Sequence, residues 1–100
     1  MTITLSDAKH HLNIEEEYTG DDRYIETLIK GATSAVAAMA QRDMDALTEE
    51  ESDIARQAVL LIVGEWYMQR EDSVVGAAVN RIPNGVERLV HAIKSYSGRR

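Results

Sequence analysis

The sequence predicts an all-α domain, a small bundle of about four helices around one central apolar helix. Apolar residues recur at steps of three and four residues in the segments assigned to helices, which is the spacing of one helix face. Helix-capping patterns precede the first and the central segments, and the single proline lies late, at position 83. A chain of 100 residues suits one small domain, so we expect a single unit over 1–100.

The first helix is predicted close to the N-terminus. Thr4 and Asp7 have the spacing of a capping box, in which a hydroxyl and a carboxylate satisfy backbone N–H groups at the helix start. Leu5, Ala8 and Leu12 then fall on one face. We therefore expect a short helix of about two turns.

The second helix is longer and rich in small residues. Asp21 or Asp22 is expected to cap it. The connection that follows, 41–47, is short, so this helix and the central one are predicted to be antiparallel neighbours. Its apolar stripe consists of Ile25, Leu28, Ile29, Ala32, Val36 and Met39.

The central helix is predicted over about 48–70, the most apolar part of the chain. Thr48 and Glu51 form a second capping box at its start. Apolar residues occupy nearly the whole circumference over 58–63, which is typical of a helix packed on several sides. The uncharged run Ala58–Gly64 is far shorter than the roughly 20 residues that a membrane span needs, so we expect a core helix.

After the central helix the pattern changes. The segment of about 71–82 shows no helical stripe but carries Val74, Val75 and Val79, and we interpret it as an extended loop. It either folds over its own core or extends as an arm onto a neighbouring subunit or partner, and the two readings are compatible. Asn84 is expected to cap the last helix, whose apolar face is Val86, Leu89, Val90 and Ile93, with Tyr96 extending it.

The composition narrows the possible functions. The absence of cysteine excludes disulfides, thiolate zinc sites and thiol catalysis. Residues 1–80 hold six basic and sixteen acidic side chains, whereas residues 81–100 hold five basic and one acidic. An acidic body disfavours DNA binding by the whole domain. No signal-peptide pattern is present at Met1–Leu5, so we expect a protein that folds in a reducing cytoplasm.

No enzymatic or metal-binding motif stands out. The sequence lacks a phosphate-binding glycine loop, a G-x-S-x-G element and an H-E-x-x-H motif. His10 and His11 point to different faces of the first helix, and the glutamates at 15–17 lie beyond its end. We therefore expect no catalytic residue, no metal and no cofactor.

Trp66 and Tyr67 close the central helix and have two possible roles. An aromatic pair in this position can plug the bundle from inside. Trp and Tyr are also frequent anchors of protein–protein interfaces. The sequence alone leaves both interpretations open.

Four ordered segments resemble the head–tail connector proteins of long-tailed bacteriophages, also called head-completion or adaptor proteins. The resemblance spans nearly the whole chain, and the ordered set is more specific than any single piece. The first helix is similar to "L-x-x-A-K-x-x-L" and the second to "D-D-x-x-I-x-x-L-I". The central and final elements are similar to "A-I-L-L-L-V-x-x-W-Y-x-x-R-E" and "L-P-x-G-V-x-x-L-L". The matching segments are Leu5–Leu12, Asp21–Ile29, Ala58–Glu71 and Ile82–Leu89.

The resemblance implies a structural virion protein at the head–tail junction, assembled in the host bacterial cytoplasm. It implies a ring of about a dozen subunits that joins the portal to the next tail or neck protein and extends the DNA channel. DNA would be passing cargo only, with no membrane and no cofactor. The candidate subunit or portal interface consists of Val74, Val75, Val79, Trp66, Tyr67, Arg88, Lys94, Arg99 and Arg100.

Two other classes fit the composition. A small helical regulator or antitoxin-like binding module would use the basic C-terminal residues on DNA, and it predicts a dimer with salt-sensitive duplex binding. An accessory subunit of an enzyme complex predicts a stable heteromeric partner and no self-assembly. We favour the connector interpretation.

Overall fold

The computed structural model describes residues 1–69 and 82–94. Over these residues the chain forms four α-helices and no strand. A single turn of 3₁₀ helix, Met44–Ala46, lies between the second and third helices. The prediction of a small all-α bundle is therefore confirmed. The helices are α1 Leu5–Leu12, α2 Asp22–Ala40, α3 Glu49–Gln69 and α4 Val86–Ile93.

The two predicted capping boxes are both present. The Thr4 hydroxyl accepts from the Asp7 N–H at 3.0 Å, and the Asp7 carboxylate accepts from the Thr4 N–H at 3.1 Å. The same reciprocal pair joins Thr48 and Glu51, with both bonds at 3.1 Å. Each box satisfies backbone donors that the first turn of a helix leaves without a partner.

The helices α2 and α3 run antiparallel, as the short connection predicts. The start of α2 meets the end of α3, where the Tyr67 hydroxyl donates to Asp21. The end of α2 meets the start of α3, where Arg42 pairs with Glu51. These two contacts fix the direction of one helix against the other.

The core follows the predicted stripes. The central helix α3 packs against α1, α2 and α4, as expected for a helix that is apolar around most of its circumference. Among the described residues, no helix is both long and apolar enough to cross a bilayer. The fully buried branched side chains of the core are Ile25, Val36, Val59, Ile62, Val63, Val86 and Ile93.

The start of α4 differs from the prediction. Asn84 does not cap the helix; the cap residue is Gly85, with φ +95° and no side-chain cap hydrogen bond. The Val86 N–H donates to the Pro83 carbonyl at 3.2 Å, so Asn84 and Gly85 are the central residues of a tight turn. A positive φ in that turn suits glycine, which explains why the cap shifts by one residue.

Candidate assembly surface

The predicted interface residues fall into two groups. Trp66 and Tyr67 lie on the last turns of α3, beside the start of α2. Arg88 is exposed on α4, and Lys94 is the partly buried residue that ends it. The remaining predicted residues lie outside the described residues: Val74, Val75, Val79, Arg99 and Arg100.

Both aromatic side chains are engaged within the subunit. The Tyr67 hydroxyl donates to Asp21 Oδ2 at 2.6 Å, and its ring centroid lies 6.3 Å from that of Tyr24 at a tilt of 44°. Trp66 packs over Gly31, where a Cβ would lie 3.4 Å from the indole Cζ3. Both rings are partly buried and contact the core. The structure thus places the aromatic pair between α2 and α3, with both side chains partly buried.

A buried lysine anchors the same end of the bundle. Lys9 is only 3% exposed, and its Nζ lies 2.8 Å from Asp22 Oδ1 and 3.1 Å from the Glu16 carbonyl that accepts its hydrogen bond. The contact with Asp22 is an ion pair without the alignment of a hydrogen bond. Lys9 therefore ties α1, the loop after it and the first turn of α2 together.

Arg42 joins three elements at the opposite end. Its guanidinium donates to both carboxylate oxygens of Glu51, at 2.8 and 3.1 Å, and to the Ile93 carbonyl at 3.0 Å. Hydrogen bonds from Arg42, and then from the Thr48 N–H, hold the pKa of the Glu51 carboxyl below its usual value. The same pairing raises the pKa of Arg42. Lys94 follows Ile93 directly, so the last described residue lies at this end.

The candidate interface is consequently not one patch. Tyr67 lies where α2 begins and the Trp66 ring lies against the middle of α2, whereas Lys94 lies where α2 ends. A protein that uses both groups contacts its neighbours at two different surfaces.

Three residues of the described surface and core were not predicted from the sequence: Lys9, Arg42 and the exposed Met68. Met68 is 70% exposed beside a groove between α1 and α3, which is also lined by His11, Leu61 and Gly64. A lysine at the position after Ala8, between apolar residues of the first helix, was the available signal for a buried cation. Nothing in the sequence marked Arg42 as more than a loop residue.

In the part of the chain that the structure describes, no group of three or more histidine, aspartate or glutamate side chains has the geometry of a metal site. His11 lies against Gly64, where a Cβ would come within 3.3 Å of the imidazole Nε2, and not with the glutamates at 15–17. Among the described residues, one groove lies between α1 and α3, and two others lie between the N-terminal residues and α2.

Comparison with known proteins agrees with the predicted resemblance. The family model described as "Phage gp6-like head-tail connector protein" matches residues 2–94, which is nearly the whole chain. No curated protein and no solved structure gives a significant match. The matched region contains all four helices and both capping boxes. The chain therefore belongs to the family of phage gp6-like head–tail connector proteins.

Proposed function

We propose that this protein is a structural component of the virion that assembles into a ring of about a dozen copies between the portal and the tail. The observation that carries the proposal is the family match over residues 2–94. The ring would extend the DNA channel below the head. Its partners would be a second copy of itself, the phage portal protein and the next tail or neck protein.

The charge of the chain supports a channel that does not hold DNA. Residues 1–80 carry a large excess of carboxylates, and most of the exposed acidic side chains among the described residues are not paired. Such a surface repels phosphates, so DNA would pass as cargo without being bound. The protein would be made in the cytoplasm of the bacterial host and would end at the head–tail junction.

The basic C-terminal residues and the segment 71–82 are the proposed contacts to neighbours. Arg88 is exposed and Lys94 leads toward Arg99 and Arg100, so this end of the chain would pair with an acidic neighbour. The valines Val74, Val75 and Val79 would supply apolar contact to an adjacent subunit or to the portal. Trp66 and Tyr67 lie on the last turns of α3, just before that segment, and would extend the contact.

The experiment that tests the proposal is the solution mass, measured by light scattering over a range of protein concentration. A species near a dozen subunits is the expected result. A dimer that shifts duplex DNA in a salt-dependent way would instead indicate the regulator or antitoxin-like module. If the free protein is a monomer, binding to portal-containing heads is measured next, and failure to bind them contradicts the proposal.

A charge-reversed variant tests the basic end separately. Replacing Arg88, Lys94, Arg99 and Arg100 with glutamate is expected to impair assembly, because the attraction to an acidic neighbour becomes repulsion. The matched control exchanges lysine and arginine at the same four positions and keeps the charge. A ring that forms unchanged with four glutamates rules out this contact.

A further inference from the structure

A groove with an unusual charge lies between the N-terminal segment and α2. Its apolar floor is formed by Ile3, Leu5 and Ile29, all of which are partly buried. Arg23 and Lys30 line it from α2. A second groove shares Ile3, Ile29 and Lys30 with the first, so the two grooves adjoin each other along α2.

The two cations of this groove have no ionic partner among the described residues. The other three lysine and arginine side chains of residues 1–69 all form ion pairs within the subunit: Lys9 with Asp22, Arg42 with Glu51, and Arg56 with Asp7. Arg23 and Lys30 are exposed and form none, although Glu26 lies between them on the same helix. The groove therefore combines apolar contact area with a net positive charge on an otherwise acidic body.

The spacing of the two cations limits which ligands can contact both of them. Arg23 and Lys30 are seven positions apart in the sequence, so both lie on one face of α2, about 10 Å apart along the axis. A ligand that contacts both needs two or more carboxylates spread over a similar length, beside a small apolar surface.

The first turns of α3 carry a surface with carboxylates spaced in this way. Glu49, Glu50 and Asp53 are exposed and form no ion pair among the described residues, whereas Glu51 is turned toward Arg42. The exposed Ala46 precedes them on the 3₁₀ turn. Three carboxylates within two helical turns, next to a small apolar residue, complement the charge and character of the groove.

One chain cannot bring these carboxylates to both cations of its own groove. Arg23 is on the first turn of α2, beside the end of α3, and Glu49 begins α3 at the other end. A helix of 21 residues is about 30 Å long, so most of the length of α3 separates Arg23 from Glu49. The Met1 side of the groove region lies closer to the start of α3, because the Met1 ammonium donates to the Met44 carbonyl. A complementary pair on different parts of one subunit is satisfied by a neighbouring copy.

We propose that the groove of Ile3, Leu5, Arg23, Ile29 and Lys30 receives the acidic start of α3 from the next copy of this chain. This inference rests on the proposed self-assembly and names the surfaces that form its subunit contact. The contact is heterologous, since the groove of each copy faces the carboxylates of another.

Two charge-reversed variants test the contact. The groove variant carries Arg23→Glu and Lys30→Glu, and the helix variant carries Glu49→Lys, Glu50→Lys and Asp53→Lys. In each variant alone, every proposed contact brings like charges together. We therefore expect the dissociation constant of self-association to rise by on the order of 100-fold. An equimolar mixture restores opposite charges at both kinds of contact, so mixed assemblies of alternating subunits are expected. Circular dichroism verifies that both variants keep the helical content of the wild type.

A control variant with Glu15→Lys and Glu17→Lys changes charge on the loop after α1 and is expected to assemble normally. The proposed contact is wrong if the groove and helix variants assemble like the wild type, or if mixing them does not restore assembly. Either result leaves the proposed ring untouched, because it concerns only the surfaces that form the contact. If the wild type neither associates nor binds portal-containing heads, the proposed function fails instead.

Disulfide trapping reports the contact even when association is weak, because the chain has no native cysteine. Thr27→Cys places a thiol in the groove, and Ala46→Cys places one beside the carboxylates. A mixture of the two single variants is expected to give more heterodimer than a mixture of Thr27→Cys with Ala92→Cys, an exposed site on α4. Equal yields in the two mixtures overturn the assignment.

Discussion

The hydroxyl of Tyr67 lies 2.6 Å from Asp21 Oδ2 and joins the end of α3 to the start of α2. Asp21 is the residue before α2 but makes no side-chain hydrogen bond to the helix backbone. Its carboxylate accepts from a side chain 46 residues away in place of the local N–H groups. The residue predicted to cap one helix therefore links two helices.

Tyr67→Phe removes the hydroxyl donor and keeps the ring that packs beside Tyr24. We expect the free energy of unfolding to fall by about 1 kcal/mol, because a partly exposed hydrogen bond to a carboxylate is lost. In a domain of this size that corresponds to a drop in Tm of about 4–8 °C. Thermal unfolding followed by circular dichroism measures the change, with Tyr18→Phe as the control because Tyr18 is 52% exposed. Equal Tm values for both variants would show that the bond contributes nothing.

Lys9→Met tests the buried ion pair. The variant leaves Asp22 without its cation, and we expect a loss of about 2 kcal/mol, below the ~3–5 kcal/mol of fully buried pairs because Asp22 is 30% exposed. Urea unfolding measures the loss. Adding Asp22→Asn is expected to recover part of it, since the unpaired charge is then removed. Glu17→Met, at an exposed loop position outside the proposed contact, serves as the control and is expected to change little.

The pH dependence of stability follows from Glu51 and Asp7. Hydrogen bonds lower the pKa of both carboxyls in the folded state, Glu51 chiefly through Arg42 and Asp7 chiefly through the Thr4 N–H. A carboxyl whose pKa is lower in the folded than in the unfolded state adds stability above its unfolded pKa, and that stability is lost as the pH falls through the folded value. We therefore expect Tm to be flat near neutral pH and to fall below the ordinary values of 4.5 and 3.8. Glu51→Gln is expected to have a lower Tm at pH 7 and a shallower acid decline.

Two glycines are predicted to respond to alanine in opposite directions. Gly31 lies exposed inside α2, and a methyl group there meets Trp66 at an ordinary contact distance of 3.4 Å. Gly31→Ala is expected to raise the stability by about 0.5–1 kcal/mol through helix propensity. Gly85 has φ +95°, so Gly85→Ala is expected to lower it by about 1 kcal/mol. Chemical denaturation of both variants decides the signs, and a stabilised Gly85→Ala would contradict the turn geometry.

The elements were predictable because their signals are local. The capping boxes at Thr4 and Thr48 involve residues three apart, and the core stripes repeat at fixed steps along one helix. The position of Asn13 at the end of α1, with φ +61°, likewise follows from the tolerance of asparagine for that region.

The tertiary polar contacts were not predictable, because their partners are distant in sequence. Lys9 and Asp22 meet only once α1 has packed on α2, and Arg42 reaches the Ile93 carbonyl across 51 residues. The prediction that Asn84 caps α4 was wrong for a different reason. Both Asn84 and Gly85 are suitable cap residues, and the turn that Pro83 begins decides between them.

The reach of Arg42 to Ile93 has a consequence for the order of folding. α4 has eight residues, fewer than an isolated helix needs to persist in water. Its last carbonyl is bound by a guanidinium that Glu51 already holds at the junction of α2 and α3. We therefore expect the hairpin of α2 and α3 to form before α4 docks on it. Native-state hydrogen exchange is expected to give a smaller opening free energy for the α4 amides than for those around Ile62.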